Sequence, residues 1–273
     1  MNKRLQIFSH WLKGPKNNVS AAEILYQVFK PGHHKTGKQS IHNIIEEEEY
    51  YLVYYKGFKE PLYWPKEVSL RCLYGFSGEI FDKNNWHYYE IPETTVNTDD
   101  IVLDCGAAEG IFTYVIMNRC KKAYALEPLP VFIKSMQKTF AGSDHVEIIQ
   151  AAASDSEGIA AIKNNELSTG QADIDNTDLK KVELKTIDSL FYDRNLPLTF
   201  IKADLEGFEL KMLDGCRETI AANLPRIAIT TYHEADHAPK ITEYLKQIAP
   251  DYNIKTKGIA KIAGCPVMLH AWV

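Results

Sequence analysis

The chain is 273 residues long, 45% hydrophobic and 25% charged, with a formal net charge of −5. That length suffices for one large core and a small appended lobe, and the acidic balance argues against a general polyanion binder, so nucleic acid is not the favoured partner. Five cysteines, an odd number with no Cys-x-x-Cys pair, argue against a disulfide framework; with no secretory signal and no run of about 18 apolar residues, they make a cytoplasmic protein without a transmembrane segment the expectation.

The first segment, Met1 to Leu12, places Leu5, Phe8, Trp11 and Leu12 on one face of a helix. That face is expected to pack on the protein, with peripheral membrane contact as the weaker alternative. Ser20-Ala-Ala-Glu23 is a capping box that opens a helix, and Pro31-Gly32 closes it. His33, His34, Lys35 and Lys38 then read as a solvated basic loop, and Glu46 to Glu49 as a solvated stretch. Residues 50–89 hold 13 of the 30 aromatic residues, among them Tyr54, Tyr55, Tyr63, Trp64, Trp86, Tyr88 and Tyr89, between turn signals at Gly57 and Pro61. They predict a small β-rich lobe whose rings form core and cross-strand packing or, alternatively, a wall for a substrate. The expected division is 1–95 for this helical and β-rich lobe and 96–273 for the main domain.

From Asp99 onward strands and helices alternate, as a doubly wound sheet requires. Ile101-Val-Leu-Asp104 is a strand, Cys105-Gly106-Ala107-Ala108-Glu109-Gly110 a turn, and Ile111, Phe112, Val115 and Ile116 the apolar side of a helix. Gly106 lets the backbone approach a ligand, Gly110 lets the helix start pack closely, and N–H groups at the helix start are offered to an anionic group. The next strand, Ala123 to Glu127, ends in an acid 23 positions after Asp104, where such folds bind ribose hydroxyls. Phe132, Ile133, Met136 and Phe140 form a helical core stripe after Pro130, and Val146 to Gln150 is the third strand, leading to Ser154 and Asp155 where an adenine edge would be met. Residues 164–180, rich in Asn, Asp, Ser and Thr, are a surface loop or a lid over the acceptor.

Leu198 to Ala203 is a further buried strand, and Asp204-Leu-Glu206-Gly207 turns it into a helix. Charge in such a strand is expelled to its ends, and ligands bind at the carboxyl ends of open sheets, so Asp204 and Glu206 are the first candidates for chemistry. Arg226 to His233 is another strand with ionisable groups at its tip. His233-Glu-Ala-Asp-His237 formally matches His-Glu-x-x-His, but a strand enters it directly and Pro239 follows, which does not suit the rigid zinc helix.

The Gly106 turn with the acid at Glu127 fits a dinucleotide or S-adenosyl-L-methionine. Ala108 stands where a dinucleotide fingerprint needs its middle glycine, which favours S-adenosylmethionine. Asp99 to Ala107, Ala125-Leu-Glu-Pro128, Ala152-Ala-Ser-Asp155, Lys185 to Leu190 and, above all, Phe200 to Glu209 with Leu213 and Gly215 resemble the FkbM-type S-adenosylmethionine-dependent methyltransferases over about two thirds of the chain. The resemblance implies a class I methyltransferase fold, an α/β Rossmann-like architecture with a seven-stranded sheet whose last strand is antiparallel. It also implies methyl transfer to a hydroxyl on a sugar, glycan or secondary metabolite, and an Asn where this chain has Ala108.

The expected cofactor contacts are Asp104, Gly106, Ala107, Gly110, Glu127, Ser154 and Asp155; the expected catalytic residues are Asp204, His233 and Glu206, with no metal ligands assigned. His233 is the candidate base because imidazole titrates near neutrality, whereas Asp204 either takes the acceptor proton or holds the cofactor's ammonium. Glu209 sits in a first helical turn, which the helix dipole alone explains. Three alternatives stay open: an S-adenosylmethionine-binding module without catalysis, a zinc hydrolase using His233-Glu234-x-x-His237, and a metal-assisted methyltransferase using His233 or His237 with Asp204.

Overall fold

The structure is a computed structural model and describes residues 3–163, 179–261 and 263–273. Its N-terminal elements are α1 (Lys3–Lys13), α2 (Ala21–Phe29), α3 (His33–Ser40), β1 (Ile41–Glu46), β2 (Tyr50–Tyr55), β3 (Leu62–Pro65) and α4 (Leu70–Phe81). The expected capping box forms: Ser20 Oγ accepts from the Glu23 N–H (3.2 Å), and Glu23 Oε2 accepts from the Ser20 N–H (3.0 Å). The apolar stripe of α1 divides. Phe8 and Trp11 pack with Ile7 against Val19, Ile24, Trp86 and Ile259, whereas Leu5 and Leu12 are exposed.

Two expectations for this region need correction. His33 to Lys38 is helix α3, not a loop, because it is held against α4 by glycines: a Cβ at Gly37 would lie 1.9 Å from the Tyr74 carbonyl oxygen, and one at Gly78 2.3 Å from that of His33. Second, 70–81 is the helix α4 and not part of a run of strands; Ser69 caps it by accepting the Cys72 N–H. The antiparallel sheet β1-β2-β3 shares one hydrophobic core with the main body, where Tyr55, Trp64 and Leu73 meet Ile111, Tyr114 and Phe132. Tight packing of α4 between these layers fixes Phe76, Glu79 and Ile80 as a wall of the cavity described below.

After a single 3₁₀ turn (Pro92–Thr94) come β4 (Ile101–Cys105), α5 (Ile111–Ile116), β5 (Lys122–Leu126), α6 (Pro130–Thr139), β6 (Val146–Ile149), β7 (Ala152–Ala153), β8 (Gly158–Lys163), β9 (Leu179–Lys185), α7 (Ile187–Leu190) and β10 (Phe200–Ala203). The chain finishes with α8 (Glu209–Asp214), α9 (Arg217–Asn223), β11 (Arg226–Thr230), α10 (His237–Ile248), β12 (Asn253–Lys257) and β13 (Met268–Trp272). Seven strands form the central sheet in the order β12-β13-β11-β10-β4-β5-β6. All run parallel except β13, which is antiparallel to both neighbours, as the class I fold requires. The order reverses between β4 and β10, and a ligand crevice belongs at the carboxyl ends of that pair.

A small third sheet, β7-β9-β8, was not legible in the sequence; its antiparallel β8–β9 pair flanks the polar segment. Of that segment, read as a surface loop or lid, residues 164–178 lie outside the described residues. Among the described residues no helix is long and apolar enough to cross a membrane.

Candidate active site

A cavity of ≈ 410 Å³ opens at the β4/β10 switch, within the size range of small-molecule sites. Its two ends differ in construction. At one end β4 runs into the Gly106 turn and β5 into Glu127, and Leu126, Ala151, Ala153, Ala160 and Leu184 supply an apolar wall. Gly106 has φ +73°, and a Cβ there would lie 2.1 Å from the Asp204 carbonyl oxygen, so only glycine lets β4 and β10 close at this point. Ala108, next but one, is left-handed at φ +47° without the freedom of a glycine.

Glu127 is buried and shaped by backbone: Oε2 accepts from the Ala108 N–H (3.0 Å) and Oε1 from that of Leu129 (2.9 Å). Burial outweighs those hydrogen bonds and pushes its carboxyl up to about 7. Glu109 beside it is pushed up to about 8, also by burial.

Four N–H groups of the turn itself are already engaged. Gly106 and Ala107 N–H both donate to the Leu126 carbonyl (3.0 and 3.1 Å), Ala108 to Glu127, and Gly110 to the Ala107 carbonyl (2.8 Å). Gly106 and Ala107 therefore shape the cavity wall rather than donate into it.

Of the expected cofactor contacts, Gly106, Ala107, Glu127 and Ser154 line the cavity, and Asp104, Gly110 and Asp155 do not. Asp104 is fully buried, 2.9 Å from the Lys202 ammonium, and accepts from the Thr113 hydroxyl (2.7 Å). Lys202 also donates to the Gly106 carbonyl (2.7 Å), so the pair ties β10 to the turn of β4. Burial alone would lower the lysine, but Asp104 and Asp204 outweigh it and hold Lys202 above its ordinary value. Gly110, at φ +80°, packs against Met136, and Asp155 is exposed.

The other end of the cavity gathers acids and histidines from four elements. Asp204 ends β10; its Oδ2 accepts from the Tyr89 hydroxyl (2.7 Å) and its Oδ1 from the Thr230 hydroxyl (3.0 Å) at the end of β11. His87 Nε2 lies 3.5 Å from Asp204 Oδ2 and 3.3 Å from the Tyr232 hydroxyl. Glu79 arrives on α4, its carboxyl raised by burial against the lowering effect of His87. Glu206, left-handed at φ +55°, also lines the cavity, with Phe208 and Lys211 beyond it.

His233 does not itself line the cavity but stands behind Glu206 and Asp204. Its Nδ1 donates to the fully buried Glu209 (2.9 Å), which also accepts from the Leu205 N–H (3.0 Å) and shares with Asp204 the single proton of the Thr230 hydroxyl (3.1 Å). Burial alone would lower the imidazole, yet Glu206, Glu209 and Asp204 outweigh it and push it up to about 10. That environment favours the protonated imidazole, whereas a general base needs the neutral one. Glu209, given only a dipole role from sequence, is a buried anchor: burial would raise it, but His233 and His237 hold it well below the usual carboxylate range.

The His-Glu-x-x-His reading fails on geometry. His237 begins α10 while His233 precedes it, so the two do not project from one helix, and their Nδ1 atoms bracket opposite oxygens of Glu209 at 2.9 and 3.4 Å.

Sequence reasoning missed His87, Glu79, Phe76 and Tyr232, which carry no local motif. Lys202 was detectable, since a lysine within an otherwise apolar buried strand demands a partner. Of the aromatic residues singled out in the first lobe, Tyr89 alone lines the cavity, whereas Tyr55 and Trp64 are core.

Comparison with known proteins agrees with this architecture. The family model of the methyltransferase FkbM domain matches residues 104–251. A crystal structure of methyltransferase FkbM from Methylobacillus flagellatus KT superposes with a TM-score of 0.52 at 18% identity, over 92% of this chain; the chain spans 60% of that protein's length. An rRNA methylase from Streptococcus thermophilus (TM-score 0.41, 15% identity) covers 65% of this chain and 88% of its own, and a Streptococcus mutans protein solved in complex with SAH (0.43, 12%) covers 65% and 90%. No curated protein matches the chain. The chain belongs to the FkbM methyltransferase family, with a Rossmann-like class I fold.

Proposed function

We propose that this methyltransferase methylates a hydroxyl oxygen on a small-molecule or glycan acceptor, a sugar or secondary metabolite without phosphate at the reacting end. The observation that carries the reading is the acidic end of the cavity, where Glu79, Asp204 and Glu206 face the same space. Three carboxyl groups there favour a neutral polyol over a polyanion. A cytoplasmic site of action is part of the same reading.

The first end suits S-adenosylmethionine: Glu127 would accept its ribose hydroxyls, the alanine and leucine wall would cover adenine, and the side-chain-free face of Gly106 leaves room for close approach. When bound, that cofactor supplies an electrophilic methyl group on a sulfonium. Asp204 is the base in this proposal. Tyr89 and Thr230 each occupy one side of a carboxylate oxygen, which fixes the carboxylate and leaves it able to accept the acceptor's proton. Asp204 Oδ1 stands 3.8 Å from His233 Nε2. Such a base contributes about 10²–10⁴-fold, and alignment of the reacting atoms contributes several kcal/mol more.

The test is incubation with S-adenosylmethionine and a panel of sugars, glycans, secondary metabolites and transfer RNA, read by mass spectrometry for the gain of one methyl group. An oxygen-methylated sugar or metabolite, lost in Asp204→Asn, is expected. Methylation of RNA, or of nitrogen or carbon, would overturn the acceptor assignment.

A further inference from the structure

Asp204, Glu206 and His233 each bring one ligand atom to within 4.8 Å of the other two. His233 Nε2 lies 3.3 Å from Glu206 Oε2 and 3.8 Å from Asp204 Oδ1. Neighbouring ligands on a small divalent cation stand about 3 Å apart when the bonds are about 2.1 Å, so a modest inward closure of the three groups completes one face of a coordination shell.

The imidazole carries the second, independent observation. The His233 side chain is only 10% exposed, and its Nε2 is buried and meets no acceptor in hydrogen-bonding geometry although two carboxylates lie beside it. Its other nitrogen is fixed by Glu209, which is 0% exposed and anchored in turn by Leu205 and Thr230. A buried carboxylate holding one imidazole nitrogen so that the other is presented outward is the usual support behind a metal-bound histidine. His237 contacts only the far oxygen of Glu209 and does not belong to this set.

We propose that Asp204, Glu206 and His233 bind one divalent cation, with Glu209 as the positioning residue behind the histidine. Two carboxylate oxygens and one imidazole make a mixed oxygen and nitrogen set that suits Mn²⁺ and related first-row ions. Three protein ligands leave coordination positions open on the cavity side, where Asp204 and Glu206 are exposed to an incoming molecule. The bound cation takes the place of the Nε2 proton and neutralises two acids that face each other across the end of the cavity. The site does not depend on the acceptor being a polyol.

The experiment uses the full chain, stripped with chelator, desalted and titrated with Mn²⁺ while the free ion is followed by electron paramagnetic resonance. Saturable binding of one ion per chain is expected, with electron spin-echo modulation from a directly bound imidazole nitrogen. His233→Ala and Glu206→Gln should each weaken Mn²⁺ binding by about tenfold or more while S-adenosylmethionine affinity stays as in the wild type. Glu234→Gln, on the exposed acid of the His-Glu-x-x-His string, should leave Mn²⁺ binding unchanged. Glu209→Gln should weaken it less than loss of a ligand does. Absence of saturable binding, binding without the imidazole signature, or binding unchanged in both ligand variants overturns the site. The imidazole signature is read on the wild type, so the test stands even if a variant misfolds, and loss of the cation site leaves the methyltransfer reading standing on its own assay.

Discussion

The two ends of the cavity are built in opposite ways. The proposed cofactor end comes from short, local stretches: one turn after β4, the tip of β5, and the segment after β6, with polar groups largely satisfied by their own backbone neighbours. The proposed acceptor end is assembled from α4, the 87–89 segment and the tips of β10 and β11, which are distant in sequence and tied together by side chains around Asp204 and Glu209. In the proposed reading the local end holds the cofactor, which a short motif can mark. An assembled end is free to vary with the acceptor, which is why the acceptor is the harder half to read.

The harshest way to break this division is at the seam. Gly106→Val places a branched side chain at left-handed φ against the Asp204 carbonyl, and should destabilise the fold by about 2–5 kcal/mol and abolish S-adenosylmethionine binding. Thermal melts with cofactor titration check this; a stable variant of normal affinity would mean the cofactor lies elsewhere.

His233→Ala strikes only the acceptor end. It leaves Glu209 buried without its main partner and should cost about 3–5 kcal/mol in chelator-treated buffer by urea unfolding, with cofactor affinity retained. Because the folded His233 value is raised to about 10, this stabilisation is fully present below about pH 6.5, its ordinary value, and disappears as pH rises through about 10. A wild-type-minus-variant difference that grew with pH would contradict the assigned ion pairs.

Glu127→Ala should cost about 1.5–3 kcal/mol of cofactor affinity by calorimetry and leave the acceptor end intact. With the wild-type carboxyl raised to about 7, affinity should increase from about pH 6 to about pH 8 as the carboxylate ionises, and Glu127→Gln should flatten that rise. A flat wild-type profile would remove Glu127 from the ribose site.

The mildest change is Ala108→Gly, which relieves a left-handed alanine while keeping the N–H donated to Glu127. It should stabilise by about 1 kcal/mol in the same unfolding assay. Ala108→Asn should act in the same direction to a smaller extent, since asparagine tolerates that conformation better than alanine.

The sequence made the first end readable because strand, turn and acid follow one another between Ile101 and Glu127, and an apolar run that ends in Asp204 marks a strand tip without any knowledge of its neighbours. It misled where side chains change partners through space. Asp104 looks like a ligand at a strand end but is committed to Lys202 and Thr113. His233 looks like a neutral base until three carboxylates are seen around it, one of them the buried Glu209 whose surface-like helical position hid its burial. Helix α3 and the acceptor wall on α4 were missed for a related reason, since the Gly37 and Gly78 contact that fixes them is visible only once the helices pair.

The most direct test of the two-ended cavity is the S-adenosylmethionine dissociation constant of Asp204→Asn, measured by calorimetry beside that of Glu127→Ala. Asp204→Asn is expected to stay within about twofold of the wild type while Glu127→Ala weakens by about tenfold or more, the affinity equivalent of the lost charged hydrogen bond. An Asp204→Asn variant that folds normally and loses as much affinity as Glu127→Ala would put Asp204 on the cofactor and contradict the division.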